Sequence, residues 1–329
     1  MEKVEPARHG LTISKSCFAR EALRQFRSIK MEVTDGFKTL LSRIEPTDRD
    51  IEVYESHRQS ITRRLETVFS TNKVELIGSY ARGSSIRATS DIDLLLILKR
   101  EEVRWGEGYK TSSTVLDQVR AELLNRYPAT PVGRDVHAIT VGFADNQHPV
   151  DVVPGFYLKH GGAMNYPIYA IPNGQGGWMA TSPQSHNKFI NDSDNQSGGK
   201  LKRVARLIKF WRRCRTPSIP LNSFHVELFL AQERICVGPM SYALCMNNAL
   251  AKLANRQCQP LDDPMDISGK VPAAYTEDKR RRAQEAIYAS AKRAYNALQA
   301  EGSGNVGEAL RLWDLVFNGN FPKNVRAAA

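Results

Sequence analysis

The chain has 329 residues, of which 41% are hydrophobic and 25% charged, and it carries 46 Lys+Arg against 35 Asp+Glu for a formal charge of +11. That length suits one large domain or two intimate lobes, and no apolar run approaches the ~18 residues of a membrane-spanning helix. The basic balance favours polyanions: nucleotides, nucleic acid or acidic membrane surfaces. The N-terminus has no apolar signal core, which reads as a cytoplasmic protein. Five cysteines, Cys17, Cys214, Cys236, Cys245 and Cys258, form no CxxC pair and no Cys/His cluster suited to zinc, so they read as free thiols.

Along the chain, Phe18, Leu23, Phe26, Ile29 and Val33 recur at roughly helical spacing, and Pro46 ends that stretch. Thr47 and Asp50 resemble a capping box, predicting a helix to about Ser70 that buries Val53, Ile61, Leu65 and Val68. Val74 to Ile77 reads as a strand ending at Gly78-Ser79. After a Gly/Ser-rich loop comes a very apolar strand, Asp91-Ile-Asp-Leu-Leu-Leu-Ile-Leu98. Residues 112–127 suit a helix, and 136–143 and 150–153 suit strands. Strands this close in sequence imply a mixed sheet.

Residues 159–199 are rich in Gly, Pro, Asn and Ser and read as loops, short strands and a short helix. Beyond Lys200 the pattern is helical, over 200–214, 222–236, 240–254, 277–301 and 305–317. The expected class is α/β (α+β): an α/β half, residues 1–199, and a helical half, residues 200–329, with a ligand cleft between them.

The informative stretch is Gly78-Ser-Tyr-Ala-Arg-Gly-Ser-Ser-Ile-Arg-Ala-Thr-Ser-Asp-Ile-Asp93. Alternate strand residues share a face, so Asp91 and Asp93 aim their carboxylates together. Like charges side by side repel unless a cation intervenes, and hard oxygens favour Mg²⁺ or Mn²⁺. Asp151 heads the Asp151-Val-Val strand; beside the first strand it makes a third acid. Three acids suit two metal ions and phosphoryl or nucleotidyl transfer. Gly78 allows phosphate oxygens close to the backbone, and Ser79 adds its hydroxyl and N–H. A lone DxD also occurs as two exposed turn aspartates; the combination with Gly-Ser and a later strand-borne Asp is far more specific.

With these residues the sequence resembles the nucleotidyltransferase superfamily that includes DNA polymerase beta. Within it, the chain looks like the bacterial cGAS/DncV-like nucleotidyltransferases (CD-NTases), cyclic oligonucleotide synthases of CBASS anti-phage systems. The resemblance covers most of residues 47–255. It implies a polymerase-beta-like catalytic lobe with a mixed sheet, with catalytic and metal-holding roles for Asp91, Asp93 and Asp151. A second match lies in the amphipathic Leu201-Lys-Arg-Val-Ala-Arg-Leu-Ile-Lys-Phe-Trp211, whose apolar face is Leu201, Val204, Leu207, Ile208 and Trp211. The resemblance implies that Lys209 reaches the donor triphosphate, alongside phosphate contacts from Gly78 and Ser79. In Ser223-Phe-His-Val226 it implies that Ser223 touches the phosphates and Phe224 stacks on the donor base. The bland alternatives are a solvated helix face for Lys209 and core packing for Phe224; His225 reads as a satisfied structural histidine. Tyr166-Pro-Ile-Tyr-Ala-Ile-Pro172, Gly176-Gly-Trp178, Thr181-Ser-Pro183 and His186 resemble a segment walling the active site, although Trp178 is equally a core residue by type. The zinc insertion of animal cyclic GMP–AMP synthase is absent, which puts a DNA activator in doubt.

The implied activity is condensation of ATP and other nucleoside triphosphates into a cyclic di- or trinucleotide with release of pyrophosphate. The rival is transfer of a nucleotide to an RNA 3′ end, a protein or a small molecule. Lys279-Arg-Arg-Arg282 could grip RNA, but it also reads as a solvated helix start with few aromatics beside it. The tail Arg326-Ala-Ala-Ala329 resembles those joined to partner proteins by operon-encoded ligation systems, and equally an ordinary frayed terminus.

Overall fold

The computed structural model describes residues 31–87, 91–143 and 148–322. Phe18, Leu23, Phe26, Ile29, Cys17 and the Arg326–Ala329 tail lie outside them. Helix α1 (Val33–Ile44) ends at Glu45, whose backbone turns extended (φ −72°, ψ 139°), as Pro46 demands of the residue before it. Helix α2 (Asp48–Val68) opens with the expected capping box. The Thr47 N–H donates to Asp50 Oδ2 at 2.7 Å and the Asp50 N–H to Thr47 Oγ1 at 3.3 Å. Its buried apolar face is Tyr54, Ile61 and Leu65. Val53, adjacent to that stripe, and Val68, in the last turn, are only half-buried, which corrects the sequence reading.

Next come strand β1 (Thr71–Ile77), the single turn α3 (Gly78–Ala81), strand β2 (Ile92–Leu98) and helix α4 (Ser112–Arg126). Of the stretch expected as one strand over 136–143, only β4 (Ile139–Val141) is strand, and it forms a hairpin with β3 (Val132–Arg134), which the sequence reading did not anticipate. Asp135 makes the turn: its N–H donates to Ala138 O at 2.9 Å and its carboxylate accepts from the Val136 N–H at 2.7 Å. Val136, apolar in the alternation, is therefore left exposed.

Strand β5 (Val150–Gly161) runs far past residue 153 and pairs with β6 (Tyr166–Pro172), which pairs with β7 (Trp178–Thr181). Helix α5 (Pro183–Gln196) follows, so residues 159–199 are more regular than their composition suggests. The turn formers sit at the connections, where Asn165, Gly174 and Gly176 adopt positive φ. Helices α6 (Lys200–Arg213), α7 (Ser223–Gln232), α8 (Tyr242–Asn255), α9 (Glu277–Gly302) and α10 (Val306–Val316) complete the chain close to the expected ranges.

The sheet order is β1-β2-β5-β4-β3, with β6 and β7 continuing from β5. Among the described residues only β2 and β5 pair in parallel, so the sheet is mixed. One core packs the sheet against α2 and α4, and includes all of Leu94, Leu96, Val152 and Phe156. A larger core joins α6 to α10. That core also takes in Phe37, Leu40 and Leu41 of α1 and Ile190 of α5, so by side-chain packing these helices side with the helical half and not with residues 1–199. Among the described residues no helix is long and apolar enough to cross a membrane.

Thr47→Ala removes the side-chain acceptor of the capping box and is expected to cost about 1 kcal/mol, read as a lower urea midpoint with an unchanged slope.

Candidate active site

The parallel pairing of β2 with β5 sets Asp93 opposite Asp151 in register, with Ile92 opposite Val150. Asp91 stands one residue ahead of β2. On the far side of β5, Thr140 of β4 pairs with Asp151 and donates its hydroxyl to Asp151 Oδ1 at 2.6 Å. The β1 end reaches the same corner, because Ile77 pairs with Asp93. Gly78 follows at φ +69°, and a Cβ there would lie 1.8 Å from Asp93 Oδ2. Glycine is thus required twice over, by the backbone angle and by contact with the acid.

A cleft of about 330 Å³ opens beside these residues. Gly78, Ser79, Asp91 and Asp93 form the sheet-side wall, and Lys209, Arg213, Ser223 and Phe224 the helical wall. Of the expected catalytic and nucleotide-binding residues, all but Asp151 line it; Asp151 is one strand removed, beside Asp93. Lys209 is buried, not solvated, and its ammonium donates to Glu227 Oε1 and to Ser84 O at 3.0 Å. Ser223 is the first residue of α7, capped by Asn222 Oδ1, which accepts from the Phe224 N–H at 3.0 Å. Ser223 Oγ accepts from Arg212 Nη1. The Phe224 ring packs on the helical core, meets His186 edge-on at 5.1 Å, and lies 5.3 Å from the Arg82 guanidinium. His225 is a satisfied structural histidine: Nδ1 donates to Val271 O at 3.0 Å. Trp178 packs edge-on against Phe156 at 5.0 Å and donates Nε1–H to Lys110 O.

Residues 31–194 match the family described as the Second Messenger Oligonucleotide or Dinucleotide Synthetase domain. A probable cyclic nucleotide synthase of Bacillus cereus (strain VD146) is 22% identical over 292 residues, covering 80% of this chain and 86% of the relative. A cyclic AMP-AMP-AMP synthase of Acinetobacter sp. is 25% identical over 318 residues, covering 89% and 87%. CdnC of Escherichia coli MS115-1 has been solved with ATP and in complex with HORMA-deltaN. It is 18% identical, superposes with TM-scores of 0.70 and 0.69, and covers 89% of this chain and 99% of CdnC.

The chain belongs to the CD-NTase family.

As a CD-NTase it is a nucleotidyltransferase, and the electrostatics of its acidic corner are unusual for solvent-facing carboxylates. Burial raises the Asp93 carboxyl to about 7, with Asp151 and Asp91 adding to the rise against the pull of Arg82 and Lys209. Burial likewise lifts Asp151 to about 6, against the hydrogen bond from Thr140, and Asp91 and Asp135 push it further. Asp91 is raised by burial and opposed by Arg213 and Arg212. Three hard carboxylates gathered out of water, with Asp91 raising the proton affinity of the other two, are a donor set suited to a divalent cation, which would relieve the repulsion. As they stand, the described residues gather no ready-made cage of three acidic, His or Cys ligands; the acids are neighbours in register. Sequence reasoning missed Arg82, Arg212, Arg213, Thr140 and Glu227. Arg82 lay inside the quoted signature without an assigned role, and Glu227 directly follows Ser223-Phe-His-Val226.

Two outcomes follow from this geometry. Gly78→Ala is expected to abolish turnover, because its methyl displaces the Asp93 carboxylate, with loss of kcat as the readout. The raised acids also tie stability to pH. Below about pH 4 the folded and unfolded chains both hold these protons; above it the unfolded chain releases them and the folded one does not, so stability falls until pH passes about 7. Without added divalent ions, Tm should therefore drop from pH 5 to pH 8, and Asp93→Asn should raise Tm at pH 8 and flatten the profile.

Proposed function

We propose that this CD-NTase condenses ribonucleoside triphosphates, ATP among them, into a cyclic di- or trinucleotide with release of pyrophosphate, and that the product serves as a second messenger in anti-phage defence. The observation that carries the reading is the pairing of Asp93 with Asp151 in a corner where Gly78 presses against Asp93. A phosphate-sized approach, a concentration of negative charge and a cationic opposite wall meet there in one cleft.

Asp91, Asp93 and Asp151 would hold two Mg²⁺ or Mn²⁺ ions, which when bound supply charge that stabilises the transferring phosphoryl group and acidifies the attacking hydroxyl. The protein's own residues do the positioning. The Gly78-Ser79 backbone and the Ser79 hydroxyl receive donor phosphate oxygens, with Lys209 and Ser223 facing them from the helical wall. Phe224 presents its ring to the donor base at the cleft edge. The acceptor ribose hydroxyl attacks the α-phosphorus and pyrophosphate leaves; Asp151 takes the hydroxyl proton. The linear intermediate turns in the cleft and a further transfer closes the ring. Most of the acceleration comes from charge and positioning.

Transfer to an RNA 3′ end gains no structural support from the basic run 279–282. Those residues sit at the exposed start of α9, where Arg280 pairs with Glu277 and Arg281 with Asp278. The deciding experiment incubates the chain with labelled ribonucleotides and Mn²⁺ and no RNA. A phosphatase-resistant product of cyclic mass supports the proposal, whereas product only with an added acceptor supports the rival. Asp91→Asn combined with Asp93→Asn should reduce product to background, and a chelator should do the same reversibly; unchanged turnover in the double variant would remove the catalytic assignment.

A further inference from the structure

Beside the acids lies a buried ionic cluster whose centre does not face the cleft. Glu227 of α7 is 0% exposed. Its Oε2 accepts from Arg82 Nε, and its Oε1 accepts from Lys209 Nζ and from the Ser84 hydroxyl at 2.8 Å. Lys209 Nζ also reaches Ser84 Oγ at 3.2 Å. Three separate elements are joined: the loop after α3, helix α6 and helix α7. Arg82 and Lys209 line the cleft alongside Asp93, whereas Glu227 does not.

Such a cluster is poorly explained by stability. Desolvating three charges costs about as much as their attraction returns, and apolar residues of similar volume often serve as well. Its effect on the cleft is more telling. Both cations already act electrostatically on Asp93. With Glu227 removed, Asp93 becomes a competing anion for either of them, and an ion pair there would occupy a carboxylate that the reaction uses. A carboxylate behind the wall binds the charged group of each cation and so fixes where that positive charge sits beside the cleft. Burial alone would raise the Glu227 carboxyl, but Arg82 and Lys209 outweigh it and hold it at about 2, so the anchor is charged throughout the neutral range.

We propose that Glu227 is a positioning residue for nucleotidyl transfer: it holds Arg82 and Lys209 at the cleft wall, directed at the donor triphosphate and away from Asp93. The inference rests on the reading of the cleft as the nucleoside triphosphate site. It differs from a structural role in what it predicts per folded molecule. Glu227→Gln keeps the shape and leaves both cations, so affinity for a triphosphate persists while its placement is lost.

The test uses the full chain with ATP, measuring kcat and KM per folded molecule, and calorimetric binding of a non-hydrolysable ATP analogue. Glu227→Gln should lower kcat on the order of 10²-fold, the scale of a ~1 Å misplacement, with analogue binding retained. Ser84→Ala, which removes one hydroxyl and no charge, should move kcat in the same direction by less and guards against a Glu227 variant that fails to fold. Arg82→Met combined with Glu227→Gln should lose less than the product of the separate losses, since both act through one contact. A folded Glu227→Gln protein with wild-type kcat, or losses in the double variant that simply multiply, overturns the positioning role while leaving the proposed reaction standing. A wild-type chain that neither binds the analogue nor turns over ATP overturns both.

Discussion

The parallel pairing of β2 with β5 is the constraint on which the acidic corner depends. Antiparallel neighbours surround it on both sides, and among the described residues only this one junction places the N-terminal ends of two strands together. Asp93 and Asp151 therefore meet because the apolar runs behind them, Leu94 to Leu98 and Val152 to Phe156, bury in the same sheet. A slip of one residue in either strand would turn an acid to the opposite face and a leucine or valine into its place. The hydrophobic effect thus sets the register, and the register holds two carboxylates in mutual repulsion.

The loop between Gly78 and Arg87 is fixed from the other direction. Arg206 of α6 donates to Ser85 O and Gly83 O and pairs with Glu45. Lys209 binds Ser84 and Glu227 binds Arg82. Ile86 inserts into the helical core. A loop whose composition suggests freedom is held by backbone carbonyls offered to arginine and lysine, so the phosphate-facing turn belongs mechanically to both halves of the protein.

The amphipathic and capped elements were legible in the sequence because their signals are local. The Thr47–Asp50 box, the Leu94–Leu98 strand, the face of α6 and the α9 range all appear close to where spacing placed them. The acids were legible because DxD at a strand head combined with Gly-Ser has few other uses. Long-range pairing was not. The β3–β4 turn depends on Asp135 capturing its neighbour's N–H, and β5 extends to Gly161 because β6 is there to pair with it. Arg82 and Glu227 are 145 residues apart, so their partnership has no periodic signature. Lys209 had a solvated helix face as its bland alternative, and its burial depends on that distant carboxylate.

The distribution of α1 and α5 between the two cores has a mechanical corollary. The chain begins its described path in the helical core with α1, crosses to build the sheet from α2 to β7, and returns with α5. The sheet is thus carried as an insertion whose two chain crossings lie near Pro46 and near Ser182, and the contacts of the Gly78–Arg87 loop with α6 and α7 add a third attachment, so the acid-bearing strand ends and the cationic helices are held at a fixed spacing from three sides.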